Sequence, residues 1–223
     1  IEPISQASAD QRAGRAGRIA PGICHRLWSE KNHAARPTKN TPEVQRTELS
    51  ASLLLLHAMG VRDVAAFDFL DKPDAQRIDV AETLLDSLGA IEEGAITVIG
   101  RRMLRIPAHP RYARMLIEAE QFGCVREVAL MAALVSGRDL LMRVSPRDER
   151  DRIIRRNRES LLKRRANTSD YFLYANSYNF AVGNNFDGKQ CFNHGINAHV
   201  AREVSQTLEQ LLSSKPGDSV ELA

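Results

Sequence analysis

Cysteine is scarce: three residues in 223, at positions 24, 124 and 191, with no paired spacing. That excludes a disulfide framework and fits a reducing, cytoplasmic setting in which each thiol behaves as a small buried apolar residue. Aromatics make up only 5% of the chain, yet the apolar fraction is 43% and the formal net charge is +3, so a folded domain rather than disorder is expected. The longest apolar stretch, around Leu53–Leu56, is too short to span a bilayer and belongs in a core helix. No charged-then-apolar leader and no initiator methionine stand at Ile1, so the chain is expected to begin within a longer protein. His194 and His199 are five apart, which puts them on different faces of a helix, and no carboxylate or cysteine completes a set, so no metal site is expected. A Gly-rich phosphate loop ending in Lys-Ser/Thr is also missing, as is an acidic metal-binding tetrad; the chain alone holds neither a triphosphate cradle nor a magnesium ligand set.

What is present is concentrated in eight residues. Gln11–Arg18 reads Gln-Arg-Ala-Gly-Arg-Ala-Gly-Arg, three arginines spaced by three with small residues between. The guanidinium is a permanently charged planar fork that matches phosphate oxygens, and Gly14 and Gly17 let the backbone approach a ligand. At helical spacing Arg12, Arg15 and Arg18 lie near one another and repel, an arrangement a polyanion relieves. A nucleoside triphosphate is the most economical such polyanion. A solvated basic turn and a generic RNA-gripping arginine-glycine tract are the alternatives, although such tracts are repetitive and this one occurs once.

Ser8-Ala9-Asp10-Gln11 reads as a capping box, with Ser8 as N-cap and a helix from about Ala9. Pro21-Gly22 stops it, and Ile23–Trp28 alternates as a strand would. Ile4-Ser5, the arginine run and Gly22-Ile23-Cys24-His25-Arg26-Leu27 together resemble motif six of the DEAH/RHA group of superfamily 2 RNA helicases. Thr41–Leu49, Leu88-Gly89-Ala90-Ile91, Gly100-Arg101-Arg102-Met103 and His109-Pro110-Arg111 are similar, in order, to the winged-helix and ratchet region that follows it. The resemblance covers nearly the whole chain, most closely through about residue 140 and more loosely from Ser169 to Leu212.

Asn32–Pro42, polar and with two prolines, reads as a linker. Leu49, Leu53, Leu56 and Met59 recur at helical spacing within a helix spanning Arg46–Met59 that Gly60 ends. A short helix is expected over Val64–Leu70. Pro73-Asp74 opens another, which runs through Leu88 and is closed by Gly89, and residues 90–98 read as a hairpin turning at Glu93-Gly94. Acids at 63, 68, 71, 74, 79, 82 and 86 argue against this winged-helix unit gripping phosphate, so it reads as a structural hub. Helices are then expected over 111–122, 125–135, 148–165, 170–182 and 196–212, with Gly123, Gly137, Gly183 and Gly195 as stops. The fold class is expected to be mainly α; the resemblance makes residues 1–36 the end of a RecA-like α/β domain, 37–107 a winged helix and 108–223 a helical bundle.

Charge is uneven. Residues 143–165 carry ten Lys or Arg against four acids, so this segment holds +6 and the rest of the chain −3. Such a concentration is either a phosphate-backbone contact or a long solvated helix softened by pairs such as Asp151–Arg155 and Glu159–Lys163.

The resemblance implies an ATP-dependent RNA helicase. Carried over residue by residue, Arg15 and Arg18 are the arginine fingers, Gln11 lies near the γ-phosphate and orders the attacking water, Arg12 braces the cleft, and Gly14 and Gly17 give clearance. The implied cofactor is ATP with Mg2+, whose metal ligands lie outside this chain. Implied partners are single-stranded RNA, held through Arg152, Arg155, Arg156 and Lys163, together with upstream RecA-like domains and a downstream oligonucleotide-binding fold of the same protein. Alone, the chain is expected not to hydrolyse ATP. A non-catalytic winged-helix scaffold or RNA-binding module is the competing reading.

Overall fold

The computed structural model describes residues 3–145, 148–161 and 169–214. Eleven α-helices and one two-stranded hairpin occur among them, so the mainly-α expectation holds. No helix among the described residues is long and apolar enough to cross a membrane.

Helix α1 (Gln6–Gly14) starts three residues earlier than expected, with Ser5 rather than Ser8 as the cap. The Ser5 hydroxyl accepts from the Ser8 amide at 3.1 Å, and the free amides of Gln6 and Ala7 donate to the carbonyls of Pro37 and Thr38 at 2.9 and 3.0 Å. Tertiary acceptors thus satisfy the orphan donors of the first turn, which a local reading cannot foresee. A 3-10 turn (Arg15–Gly17) continues α1. Residues 23–28 do not form the expected strand: no other strand among the described residues offers them an edge, and Ile23 and Leu27 stay exposed. The expected linker begins inside α2 (Glu30–Ala34), capped by the Ser29 hydroxyl.

Next comes a three-helix unit with a hairpin: α3 (Ser50–Ala58), α4 (Ala75–Ser87), β1 (Ile91–Glu92), β2 (Ala95–Ile96) and α5 (Val98–Leu104). Asp74 caps α4, and Gly89 closes it with a positive φ. The strands pair antiparallel, Ile91 opposite Ile96 and Glu92 opposite Ala95. Helix α5 replaces the end of the expected second strand, because the Thr97 side chain accepts from the Gly100 amide at 3.0 Å and starts a helix where β-branched residues pointed to a strand. Residues 64–70 form turns rather than a helix. The Asp63 carboxylate accepts from the Ala66 amide, and Phe67 packs edge-on against Phe69 at 4.9 Å, a bend that an α-helix does not permit between i and i+2.

The C-terminal bundle comprises α6 (Pro110–Gln121), α7 (Val125–Ser136), α8 (Glu149–Ser160), α9 (Tyr171–Gly183), α10 (Gly188–Asn193) and α11 (Ala198–Ser213). Helix α10 was not expected, although Asp187, whose side chain accepts from the Gln190 amide, is an N-cap signal in plain sight. The end of the expected 148–165 helix falls outside the described residues. One continuous apolar core runs from Leu49, Leu53 and Leu85 through Met103 and Leu116 to Ala132, Val204 and Leu208. It joins the hairpin unit to the bundle, with α7 packed against α6, α9 and α11.

The junction between the two carries a polar cluster as well. The Glu48 carboxylate accepts from the Ser50 amide at 2.9 Å, the Ser50 hydroxyl at 2.7 Å and His109 Nε2 at 2.9 Å. His109 Nδ1 accepts from the Arg111 amide at the start of α6, so Nε2 carries the hydrogen. The Ser50 proton points at the carboxylate and not at an imidazole base, so this Ser–His–Glu trio is a joint and not a nucleophile. Burial alone would raise the Glu48 carboxyl, but the Ser50 and His109 hydrogen bonds outweigh it and leave it below its usual range. A depressed carboxyl contributes stability above its unfolded pKa that is lost as pH falls through the folded value. Thermal unfolding from pH 6 down through 4.5 and below should therefore show Glu48→Gln losing less stability than wild type, because the variant lacks this titration.

Candidate functional site

The arginine run forms an exposed excursion between α1 and α2. Backbone angles remain right-handed helical at Gly14 (φ −60, ψ −20), Arg15 (−71, −24) and Arg18 (−69, −38), so Arg12, Arg15 and Arg18 keep their three-residue spacing along one helical path. Gln11 and all three arginines are exposed, and none of the arginines has a hydrogen bond or ion pair among the described residues. Glycines 14 and 17 have no heavy atom within 4 Å of where a Cβ would sit, so nothing in the chain's own packing requires them. Gly22 is different: a Cβ there would lie 2.0 Å from the Ala16 carbonyl oxygen, so only glycine lets the returning limb pass over the 3-10 turn.

Other basic residues of the same segment are engaged. Arg26 donates to the Asp10 carboxylate at 2.6 Å and contacts His33 Nε2 at 3.1 Å. Trp28 Nε1 donates to His33 Nδ1 at 3.5 Å, and the Arg36 guanidinium lies 4.1 Å from the centroid of the Trp28 ring. Arg36 also donates to Asn32 Oδ1 and to the Ile4 carbonyl, and Gln6 donates to the carbonyls of Ala34 and Arg36. Sequence reading missed this network, as well as the Glu48–His109 joint, because the partners lie 16 and 61 residues apart.

The basic helix α8 divides. Arg152 pairs with Glu149 one turn back at 2.6 Å with both groups exposed, Arg155 is half-buried, and Arg156 is exposed. Lys163 lies outside the described residues, and so does its expected pairing with Glu159. Asp151, expected to pair with Arg155, accepts from the Ser145 amide. Arg158 turns inward: Nη2 donates to the carbonyls of Met142 at 2.9 Å and Gly195 at 2.8 Å, and Nε to that of His194 at 3.4 Å. Burial lowers its pKa against the opposing pull of Tyr174 and Asp139, and it remains a cation. Arg158→Ala would leave those carbonyls without their donor, at a cost of about 2 kcal/mol. That predicts a melting temperature several degrees lower, whereas Arg152→Ala and Arg156→Ala should leave it unmoved in the same thermal scan.

Two family models match: the helicase associated domain (HA2), winged-helix, over residues 81–108, and its ratchet-like counterpart over 109–174. Similar proteins include the ATP-dependent RNA helicase HrpA of Escherichia coli, 37% identical over 95% of this chain and 17% of its own length. The pre-mRNA-splicing factor ATP-dependent RNA helicase prp22 of Schizosaccharomyces pombe is 35% identical over 95% of the chain and 18% of its length. The probable ATP-dependent RNA helicase DHX35 of Homo sapiens is 33% identical over 95% and 29%. The chain therefore spans less than a third of the relatives it matches. Over 95% of its length the chain is thus similar to DEAH-box ATP-dependent RNA helicases, and residues 81–174 match the winged-helix and ratchet-like models of the helicase associated domain.

Proposed function

We propose that this chain is part of an ATP-dependent RNA helicase and supplies the arginine side of its nucleotide site. Arg15 and Arg18 act as fingers on the γ-phosphoryl group, Gln11 orders the attacking water and Arg12 braces the cleft. The observation that carries this reading is a contrast within one segment. Arg26 and Arg36 have partners, whereas Arg12, Arg15 and Arg18 stand exposed in a row with no partner among the described residues. Three like charges kept adjacent without a counter-ion fit an anionic ligand, and the open space at Gly14 and Gly17 fits its close approach.

ATP bound with Mg2+ would supply the phosphoanhydride to be cleaved, the metal being held by residues outside this chain. As negative charge builds on the γ-phosphoryl oxygens, arginines brought across a closed cleft stabilise it, which couples closure to turnover. Exposed Ile19, Ile23 and Leu27 would seat against the rest of a RecA-like domain, to which residues 1–36 belong. Residues 37–107 serve as the winged-helix hub and 108–223 as the ratchet bundle. RNA would meet that bundle at Arg152, Arg155, Arg156 and Lys163, whereas the inward-facing Arg158 supports the fold.

ATP turnover by the full-length protein carrying Arg15→Ala or Arg18→Ala tests the reading. Abolished turnover supports it, and normal turnover overturns it. Normal turnover with a shallower salt dependence of RNA binding would favour the non-catalytic module instead, by about one unit of slope per lost phosphate contact.

A further inference from the structure

The arginine loop leaves the fold at Asp10 and returns at Arg26, and these two residues grip each other. The Arg26 fork spans two partners: Nη2 meets the Asp10 carboxylate on α1 at 2.6 Å, and Nη1 meets His33 on α2 at 3.1 Å. From His33 the contacts run on to Trp28 and Arg36, and from Arg36 to the Ile4 carbonyl just before α1 begins. This closes a circuit around the base of the loop. The N-terminal end of α1 is fixed independently by the carbonyls of Pro37 and Thr38 and by Gln6. Its C-terminal end, which carries Gln11, Arg12 and the turn to Arg15, has the Asp10–Arg26 pair as its side-chain tie. Nearer the tip, Gly22 closes the loop by passing over Ala16. None of residues 10–30 is buried, so no core packing holds the loop in place.

An ion pair as exposed as this one adds little to stability, about 0–1 kcal/mol. Its geometry matters more than its energy: an arginine fork shared between two elements fixes direction as well as distance. From this we infer that Asp10 and Arg26 are positioning residues, which hold the arginine loop so that Arg15 and Arg18 point into the nucleotide cleft. The inference rests on the proposed role of those two arginines. Groups that stabilise a transition state must be placed within a fraction of an ångström, and misplacement by about 1 Å can cost on the order of a hundredfold. A loosened loop still visits the productive geometry, so a milder loss is expected.

The test is steady-state ATP hydrolysis by the full-length protein in the presence of RNA. Asp10→Asn and Arg26→Ala should each lower kcat about tenfold, with KM for ATP within about twofold, because the fingers act on charge that develops only in the transition state. Asp10→Glu, which keeps the carboxylate, should retain most of the wild-type kcat. The Asp10→Asn/Arg26→Ala double variant should fall no further than Arg26→Ala alone, since one contact is removed twice. Melting temperatures should stay within about 2 °C of wild type. The inference is overturned if Asp10→Asn keeps a kcat within twofold of wild type, if Asp10→Glu falls as far as Asp10→Asn, or if the kcat losses track a falling melting temperature or a rising KM. Loss at Arg15 with none at Asp10 removes this inference alone. Retained turnover in Arg15→Ala removes the underlying reading as well.

Discussion

A fall of about a thousandfold in kcat for ATP hydrolysis, with the melting temperature unchanged, is expected when Arg15 or Arg18 is replaced by alanine in the full-length protein. The size follows from what a finger does: a guanidinium on the transferring phosphoryl group contributes roughly 10³ to 10⁵ in rate, and a thousandfold corresponds to about 4 kcal/mol of barrier. The unchanged stability follows from the structure. Both side chains are exposed and have no partner among the described residues, so truncation strands no buried group and opens no cavity. Removing one of three neighbouring like charges relieves some repulsion, which if anything favours the fold. Arg→Lys at the same positions should recover little turnover, because a point charge lacks the planar fork. Arg12→Ala should lose less than either finger variant, since a brace touches no developing charge. Paired calorimetry and steady-state kinetics on the three variants check both halves of the expectation.

How much of this was legible in the sequence depended on how far apart the cooperating residues lie. The arginine run stands out because its three cations fall within eight positions, and α4 is legible because Asp74, the periodic apolar residues and Gly89 all sit within one helix length. Helix α1 was misplaced by three residues because the acceptors for its first amides come from Pro37 and Thr38, thirty positions on. Residues 23–28 carry a strand pattern, but a strand needs a partner edge, and neither strand of the β1–β2 hairpin pairs with them. Along α8 all cations look alike in the sequence. Only the carbonyls of Met142, His194 and Gly195 distinguish Arg158, which supports the fold, from Arg152 and Arg156, which face solvent. The Asp10–Arg26 tie was hidden for the same reason: an aspartate beside a glutamine in a basic run carries no sign of its partner sixteen residues away.

Gly100→Ala should be among the most damaging single substitutions outside the arginine loop, by about 3 kcal/mol or more, which lowers the melting temperature of a chain this size by roughly 6–12 °C. The dipeptide Gly-Arg occurs at 14–15, 17–18, 100–101 and 137–138, and the dipeptide itself gives its glycines one meaning. Their surroundings separate them. A Cβ on Gly100 would lie 2.1 Å from the Ala90 carbonyl oxygen and 2.8 Å from Ile96 Cγ1, so α5 can lie against the hairpin only if residue 100 has no side chain. The Ala90 carbonyl cannot yield cheaply, because it accepts from the Thr97 amide at 3.0 Å and the Thr97 hydroxyl at 3.2 Å, the residue that caps α5. Relief of the clash therefore costs the cap or the packing of α5 on the core through Met103. Gly14→Ala meets no atom within 4 Å at right-handed helical angles, and should instead be neutral or stabilising by up to about 1 kcal/mol, since alanine is the better helix former. Thermal unfolding of the two variants should show opposite signs. Equal losses at both positions would mean that Gly14 is needed by the fold itself, and the ligand-clearance role assigned to it would no longer hold.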